Sequence, residues 1–492
     1  MATMRIQDLM EQTGVKFGTS GARGLAQAIT DRVAYAYTLG FLQHLEGFGE
    51  FGPGTPVALG GDHRPSTPRI LRAVARAVAD RGGRVVNGGL LPSPALALYG
   101  FTEGIPSVMV TGSHIPDDRN GIKYTRPGGE ILKRDEAAIR EQVVELPDEL
   151  FDPAGNLVAP PEMPPEDPTA SRRYVERYLA AFPEGFLRGK RIGLYEHSAV
   201  ARDLLAEILG GLGAEVVRLG RSDRFIPVDT EAIRPEDVEL ARRWAAEHRL
   251  DALVSADGDS DRPLVADERG KWLRGDVVGI LTARLLGADA VVCPVSCNTA
   301  VEQCGWFRKV VRTRIGSPYV IEGMLAAAAE GYRTVVGYEA NGGFLTASPI
   351  GLGRAELAPL PTRDAAIVIL GVLLLAVREG KTVSELREAL PRRYTASDRL
   401  KEFPTEVSLA RVRELAEGGP AAIEAAFGGR FGPVAATDTT DGLRITFASG
   451  EIVHLRPSGN APEFRCYTEA DSEERAEELL REALAVMETW RP

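Results

Sequence analysis

The chain has 492 residues, too long for one core, and length alone predicts about three to four domains. Its 44% hydrophobic and 26% charged content is that of an ordinary soluble globular protein. A net charge of −11 argues against nucleic acid as a partner, so an anionic ligand must be met by local Arg and Lys clusters.

The opening MATMRIQDLMEQTG has no apolar signal core, which predicts a cytoplasmic protein. The loop VKFGTSGARG follows. It gathers Lys16, Thr19, Ser20 and Arg23 among Gly18, Gly21 and Gly24, which allow the backbone close to an anion; a flexible leader is an equal alternative. GGDHRPST supplies Arg64, read as loop structure. In VTGSHIPDDRNGIK, Ser113 stands beside His114 with Lys123 ten residues beyond. A serine in such a turn is unreactive unless another group activates it, and the absence of a GxSxG elbow removes acyl chemistry.

Three stretches repeat one pattern of strand, amphipathic helix and strand, beginning at Thr55, Lys190 and Ala288. The proline-rich run Val158 to Ser171 separates the first two. Further boundaries are expected near Arg269 to Lys271 and near TASDRLKEF.

After the second repeat, LDALVSADGDSDRPLVADE presents Asp257, Asp259 and Asp261 on alternate residues, with Arg262 adjacent. Three hard oxygen ligands predict a divalent cation, most plausibly Mg²⁺, and the guanidinium beside it predicts a shared phosphoryl group. An EF-hand would place Glu268 correctly but needs Gly where Arg262 stands. An acidic turn without an ion is the plainer alternative. A phosphorylated Ser113 and the Asp loop would explain each other, since the ester's charge needs a cation.

Cys293, Cys297, Cys304 and Cys466 form no CxxC pair and read as free thiols. In VVGYEANGGFL, Glu339 and Asn341 suit a sugar diol, although an Asn-Gly turn accounts for the same residues. The apolar run Ala366 to Val377 falls short of the roughly 20 residues a span requires, which predicts a buried helix and no membrane partner. GKT at Gly380 is no Walker loop, because Leu375 stands where that motif needs Gly.

The last segment changes to a hairpin, a third strand and a terminal helix, with Asp471 and Glu474 as a candidate capping box. Its loop LRPSGNAPEFR joins Arg456, Ser458, Gly459, Asn460 and Arg465 into a cradle for an unreactive phosphate, or a surface turn.

Taken in order, FGTSGARG, TGSHIPDDRNGIK, DGDSDR, EANGG and RPSGNAPEFR resemble the loops of the α-D-phosphohexomutase superfamily over nearly the whole chain. The resemblance implies an α/β fold: three similar α/β domains with mixed sheets and a smaller C-terminal α+β domain around a central cleft. The expected divisions are 1–165, 166–270, 271–396 and 397–492. It implies Mg²⁺ held by Asp257, Asp259, Asp261 and the Ser113 phosphate, with Arg23, His114, Lys123 and Arg262 as acid, base and electrostatic groups. Lys16, Thr19, Ser20, Gly316, Ser317, Glu339 and Asn341 would bind substrate, and Arg456, Ser458, Gly459, Asn460 and Arg465 its idle phosphate.

The implied reaction interconverts hexose 6-phosphate and hexose 1-phosphate through a hexose 1,6-bisphosphate, with mannose favoured over glucose, glucosamine or N-acetylglucosamine. This chain departs from the common pattern at Gly112 and Ile115, at Ser317 and Pro318, at Asn341, and at Gly459 to Ala461, changes that bear on the sugar. A Mg²⁺-dependent phosphatase with an aspartate nucleophile and a non-catalytic sugar-phosphate sensor are readings from other classes. Monomer and dimer both stay open.

Overall fold

The computed structural model describes residues 2–18, 21–458 and 462–492. Its organising feature is one strand plan used three times. Strands Pro56–Gly61, Arg84–Leu90 and Ser107–Val110 run parallel, with the first in the middle, and Arg119–Arg126 is added antiparallel beside Ser107–Val110. Arg191–Tyr195, Glu215–Leu219, Ala252–Ala256 and Pro263–Ala266 repeat the arrangement. So do Ala290–Pro294, Lys309–Thr313, Val335–Tyr338 and Phe344–Thr346. The sheets are therefore mixed.

The three strand-helix-strand repeats form as expected, but the third crossover helix is only Ala300–Gln303. Asn298 Oδ1 accepts from the Ala300 amide at 2.8 Å to start it, and Gly305 at φ +69° ends it one turn later. A helix over Ala365–Glu379 contains the long apolar run; its faces are buried, Asp364 caps it, and Gly380 closes it at φ +63°. No helix among the described residues is long and apolar enough to cross a membrane.

The last unit is a five-stranded antiparallel sheet with helices Thr405–Ala426 and Glu473–Glu488. The first of these, unassigned from sequence, breaks at Gly419, so the Gly-Gly-Pro run is a kink between two helical pieces. The cap of the final helix is Ser472, accepting from the Arg475 amide at 3.2 Å, in place of the expected Asp471 and Glu474 pair.

One continuous apolar cluster, from Ala58 to Leu390, joins the first three units, whereas the last has its own. We propose domain divisions at 165/166 and 270/271, outside every strand and helix. Strand Tyr394–Lys401 runs across 396/397, so the last division is better set at its start. The cysteines are free thiols, with Cys293, Cys297 and Cys466 buried.

Two histidines are built into this frame as neutral rings. His197 Nε2 donates to the Ala256 carbonyl at 2.7 Å and His454 Nε2 to that of Asp441 at 2.6 Å, while both Nδ1 atoms are buried without a partner. Burial lowers each pKa to about 4. Unfolding returns each ring to about 6.5. Between those values the unfolded chain binds protons the folded one refuses, so stability falls with pH. By pH 5 the loss is about 2 kcal/mol per ring. Calorimetric melting is expected to drop from pH 7 to pH 5, and to drop less in a His197→Gln/His454→Gln variant. An equal drop in both proteins would contradict this account.

Candidate active site

The shared strand plan puts one loop in the same place three times, between the third and fourth strands of each sheet. Those loops are residues 111–118, 257–262 and 339–343. They carry Ser113, the three aspartates and Glu339 with Asn341. A sheet end holds a short loop rigidly, which suits groups that must meet to within tenths of an ångström.

They do meet. Ser113 is fully buried, and its Oγ donates to Asp257 Oδ2 at 2.6 Å across 144 residues of chain. Its backbone sits at φ +55°, a left-handed conformation that a serine adopts only when its surroundings enforce it. The enforcement comes from the Arg64 loop. Thr111 Oγ1 accepts from the Ser113 amide and donates to Asp62. Arg64, 1% exposed, donates to the carbonyls of Ser113, Ile115 and Pro116 at 2.8, 2.6 and 3.1 Å. Arg64 is thus a scaffold for the serine loop, as its reading as loop structure anticipates.

This network explains Gly112. A Cβ there would lie 2.7 Å from Arg64 Cζ and Nε, so the guanidinium occupies the space a side chain would need.

Asp257, Asp259 and Asp261 are all buried, with one ligand oxygen of each within 4.8 Å of the others. Asp257 Oδ1 accepts the amides of Asp261 and Arg262 at 3.1 Å. Asp259 Oδ1 and Asp261 Oδ1 are buried without hydrogen bonds. Anionic oxygens without hydrogen bonds are expensive in an interior, even with Arg262 Nε 3.7 Å from Asp261 Oδ1, and carboxylates in this number and spacing fit a hard cation such as Mg²⁺.

Cations surround the cluster. Lys123 Nζ donates to Asp259 at 2.5 Å and Asp261 at 2.7 Å. Burial would lower its pKa, but Asp259 and Asp261 outweigh that and hold it above the ordinary value. Burial, then Asp259 and Asp261, push Asp257 well above the carboxylate range. Burial opposes ionisation of Asp261 too, yet Arg363, Lys123 and Arg262 hold it low. Arg23 is brought to about 10 by burial and by Arg262 and Arg363, so it stays a cation at neutral pH. His114 Nδ1 lies 3.3 Å from Ser113 Oγ; burial first, then Arg262 and Arg23, take its pKa far down and leave a neutral ring.

The remaining sequence candidates divide. Glu339 and Asn341 are buried, and Glu339 is joined to the cluster through Arg363, whereas Asn341 Oδ1 accepts from the Gly343 amide at 2.8 Å and so serves its own turn. Gly316 starts the helix Ser317–Ala329, and Ser317 Oγ donates to Glu130 Oε2 at 3.0 Å, an anchor on the first sheet rather than a group open to the cleft. Lys16 is exposed opposite Arg23 on a paired strand, and among the described residues no hydrogen bond or ion pair ties it to the cluster. Thr19, Ser20, Gly459 and Asn460 lie outside the described residues.

On the last sheet, Arg456 and Arg465 stand directly opposite each other on adjacent strands. Like charges so placed repel, which Asp441 on Arg456 at 2.9 Å and Glu463 on Arg465 at 3.2 Å offset. Ser458, buried just beyond the strand that carries Arg456, donates its amide to Glu463 O at 2.9 Å.

Three residues escaped the sequence reading. Arg363 bonds both Asp261 and Glu339. Glu231 has its pKa raised by burial while it faces Arg262, Asp229, Arg274 and Glu339. Asp441 joins Arg456 to the Ile315 amide, at 2.9 and 3.0 Å.

Comparison with known proteins places this geometry in a family. Profiles described as phosphoglucomutase/phosphomannomutase alpha/beta/alpha domain I, alpha/beta/alpha domain III and C-terminal domain match residues 14–148, 274–394 and 409–486. The chain belongs to the phosphoglucomutase/phosphomannomutase family.

A phosphomannomutase of Salmonella muenchen is 43% identical over 97% of this chain and 96% of its own length. Another from Sinorhizobium fredii is 46% identical over 96% and 99%. Among solved structures, a putative phosphomannomutase from Thermus thermophilus superposes with a TM-score of 0.72 at 23% identity, covering 96% of this chain and 99% of that one. A family protein from Burkholderia thailandensis gives 0.73 at 18%, covering 98% of each. At those identities the structures speak for the fold, which agrees with the α/β architecture expected here.

The Arg64 scaffold can be tested through its glycine. Gly112→Ala is expected to displace Arg64 and the Ser113 loop, lowering kcat in a hexose phosphate mutase assay by about ten- to a hundredfold and lowering the melting temperature as the buried Arg64–Asp62 pair is disturbed. Full activity in that variant would show that the loop does not depend on the contact.

Proposed function

We propose that the protein is a phosphohexomutase that interconverts hexose 6-phosphate and hexose 1-phosphate, with mannose phosphate as its sugar. The observation that carries the reading is the Ser113 hydroxyl, held 2.6 Å from a carboxylate of a buried three-aspartate cluster. Mannose is favoured by the two phosphomannomutases at 43% and 46% identity. We further read the protein as a cytoplasmic enzyme.

In this proposal Ser113 carries a phosphoryl group in the active protein. The Oγ–P bond breaks as a P–O bond forms to the free hydroxyl of the sugar phosphate; a base of the cleft takes the hydroxyl proton and an acid returns one to Ser113 Oγ. Neutral His114 can accept a proton, and Lys123, pinned as a cation among carboxylates, can give one. The hexose 1,6-bisphosphate turns over, and its other phosphoryl group returns to Ser113 by the reverse step.

Asp257, Asp259 and Asp261 would hold Mg²⁺, which when bound supplies positive charge against the phosphoryl oxygens. Arg23 and Arg262 add fixed cations on the same side. Glu339 and Asn341 read hydroxyls of the sugar. Arg456, Ser458 and Arg465 take the phosphate that is not reacting, a remote grip that orients the other end.

Ser113→Ala is expected to abolish turnover, and mass spectrometry of the active wild-type protein to find phosphate on Ser113. A fully active alanine variant would defeat the assignment. Turnover of the 1-phosphates of mannose, glucose, glucosamine and N-acetylglucosamine, primed with glucose 1,6-bisphosphate, should rank mannose first. A phosphatase would instead release inorganic phosphate steadily and need no primer.

A further inference from the structure

Arg363 lies on strand Leu360–Asp364, whose neighbouring side chains tie it to distant parts of the molecule. Thr362 Oγ1 donates to Glu130 on the first sheet at 2.6 Å. Asp364 accepts from Tyr174 at 2.6 Å and from Tyr178, both on helix Thr169–Ala181. The strand is thus anchored on both sides of Arg363.

The guanidinium itself is 2% exposed and divides its donors. Nε donates to Asp261 Oδ2 at 3.1 Å, Nη2 lies 2.9 Å from the same oxygen as an ion pair, and Nη1 donates to Glu339 Oε2 at 3.2 Å. Lys123 reaches the same Oδ2 at 2.7 Å. One oxygen of Asp261 is therefore saturated, while the other, Oδ1, has no hydrogen bond and only the Arg262 Nε at 3.7 Å near it; Asp261 is one of the three carboxylates whose spacing fits a cation. Fixing one carboxylate oxygen from behind decides which way the other faces.

The sugar loop is built around the same side chain. A Cβ on Gly343 would lie 2.5 Å from Arg363 Cδ and 2.7 Å from Cγ, so the second glycine of EANGG leaves room for the arginine stem.

We propose that Arg363 is a positioning residue that locks Asp261 of the metal loop and Glu339 of the sugar loop into one unit. Affinity for the divalent cation and discrimination between hexose epimers then depend on one side chain. A planar guanidinium can serve two carboxylates at fixed angles, whereas an ammonium is a single point that serves one well. The cation half rests on the aspartate cluster alone, and the epimer half rests on the mutase reading above.

The test is Arg363→Lys in the full-length protein. Isothermal titration with Mg²⁺ is expected to give a Kd raised about ten- to a hundredfold. The kcat/KM ratio between mannose 1-phosphate and glucose 1-phosphate is expected to move toward one. Glu339→Gln should move that ratio but leave the Mg²⁺ Kd within about twofold, and adding it to Arg363→Lys should change the ratio no further.

A lysine variant with wild-type Mg²⁺ affinity, or with the wild-type epimer ratio, overturns the proposal. So does one that loses its melting transition, since Arg363 would then be a folding residue; Arg363→Met, which keeps the stem without the charge, checks whether packing alone is at stake. Should the wild-type protein isomerise no hexose phosphate, the mutase reading fails while the calorimetric arm still decides the cation half.

Discussion

Three carboxylates forced together in a dry interior repel one another and shed their water. Asp257, Asp259 and Asp261 are nearly fully buried with ligand oxygens inside 4.8 Å, and much of the surrounding structure answers that electrostatic problem. Lys123 comes from the first sheet, Arg262 from the loop itself and Arg363 from the third. Their arrival is uneven. Asp261, served by three cations, stays ionised, whereas Asp257 is pushed up and finds the Ser113 hydroxyl as its partner. That unevenness gives the cluster a direction: its charge is neutralised at the Asp261 end, and at the Asp257 end it faces the serine.

Meeting this demand requires parts of the chain far apart in sequence to arrive at one point, and the repeated sheet makes that possible. Because each of the first three units turns from its third to its fourth strand at the same place, a single packing arrangement of the sheets brings three equivalent turns together. Their shared apolar cluster fixes that arrangement. Local strain is then tolerable: Ser113 at φ +55° and Ser260 at φ +60° sit in left-handed conformations inside these turns, held by hydrogen bonds from the flanking strands and loops.

What the sequence made legible follows from the same geometry. The aspartates stand within five residues of one another and Ser113 within a short loop, so local spacing reveals them. The three strand-helix-strand units are legible because apolar periodicity is also local. Arg363 was not, since its partner Asp261 lies 102 residues away and TRD before a helix looks like an ordinary cap. Glu231 and Asp441 were missed for the same reason. Ser317 shows what spacing alone cannot tell: its position in the chain resembles a site residue, and in the folded chain Glu130, 187 residues away, takes its hydroxyl. The fourth-unit helix with Gly419 was hidden because glycine and proline mark loops and kinks alike.

The last unit meets the others on different terms. No apolar cluster of the described residues crosses from it into the first three. Hydrogen bonds and ion pairs do: Glu469 accepts from Thr299 and Arg393, Arg314 donates to the Thr440 carbonyl, Lys271 pairs with Glu473, and Asp441 takes the Ile315 amide. Polar contacts exchange for water at small net cost, while separating apolar faces costs in proportion to area. The unit that would grip the idle phosphate is therefore the one that can part from the rest most cheaply. Asp441 ties the two requirements together, because the oxygen that holds Arg456 is the same one that holds the neighbouring unit's backbone. Were a phosphate to draw Arg456 away from Asp441, it would change the contact that keeps the units together, so ligand binding and the seating of the last unit would act on one carboxylate.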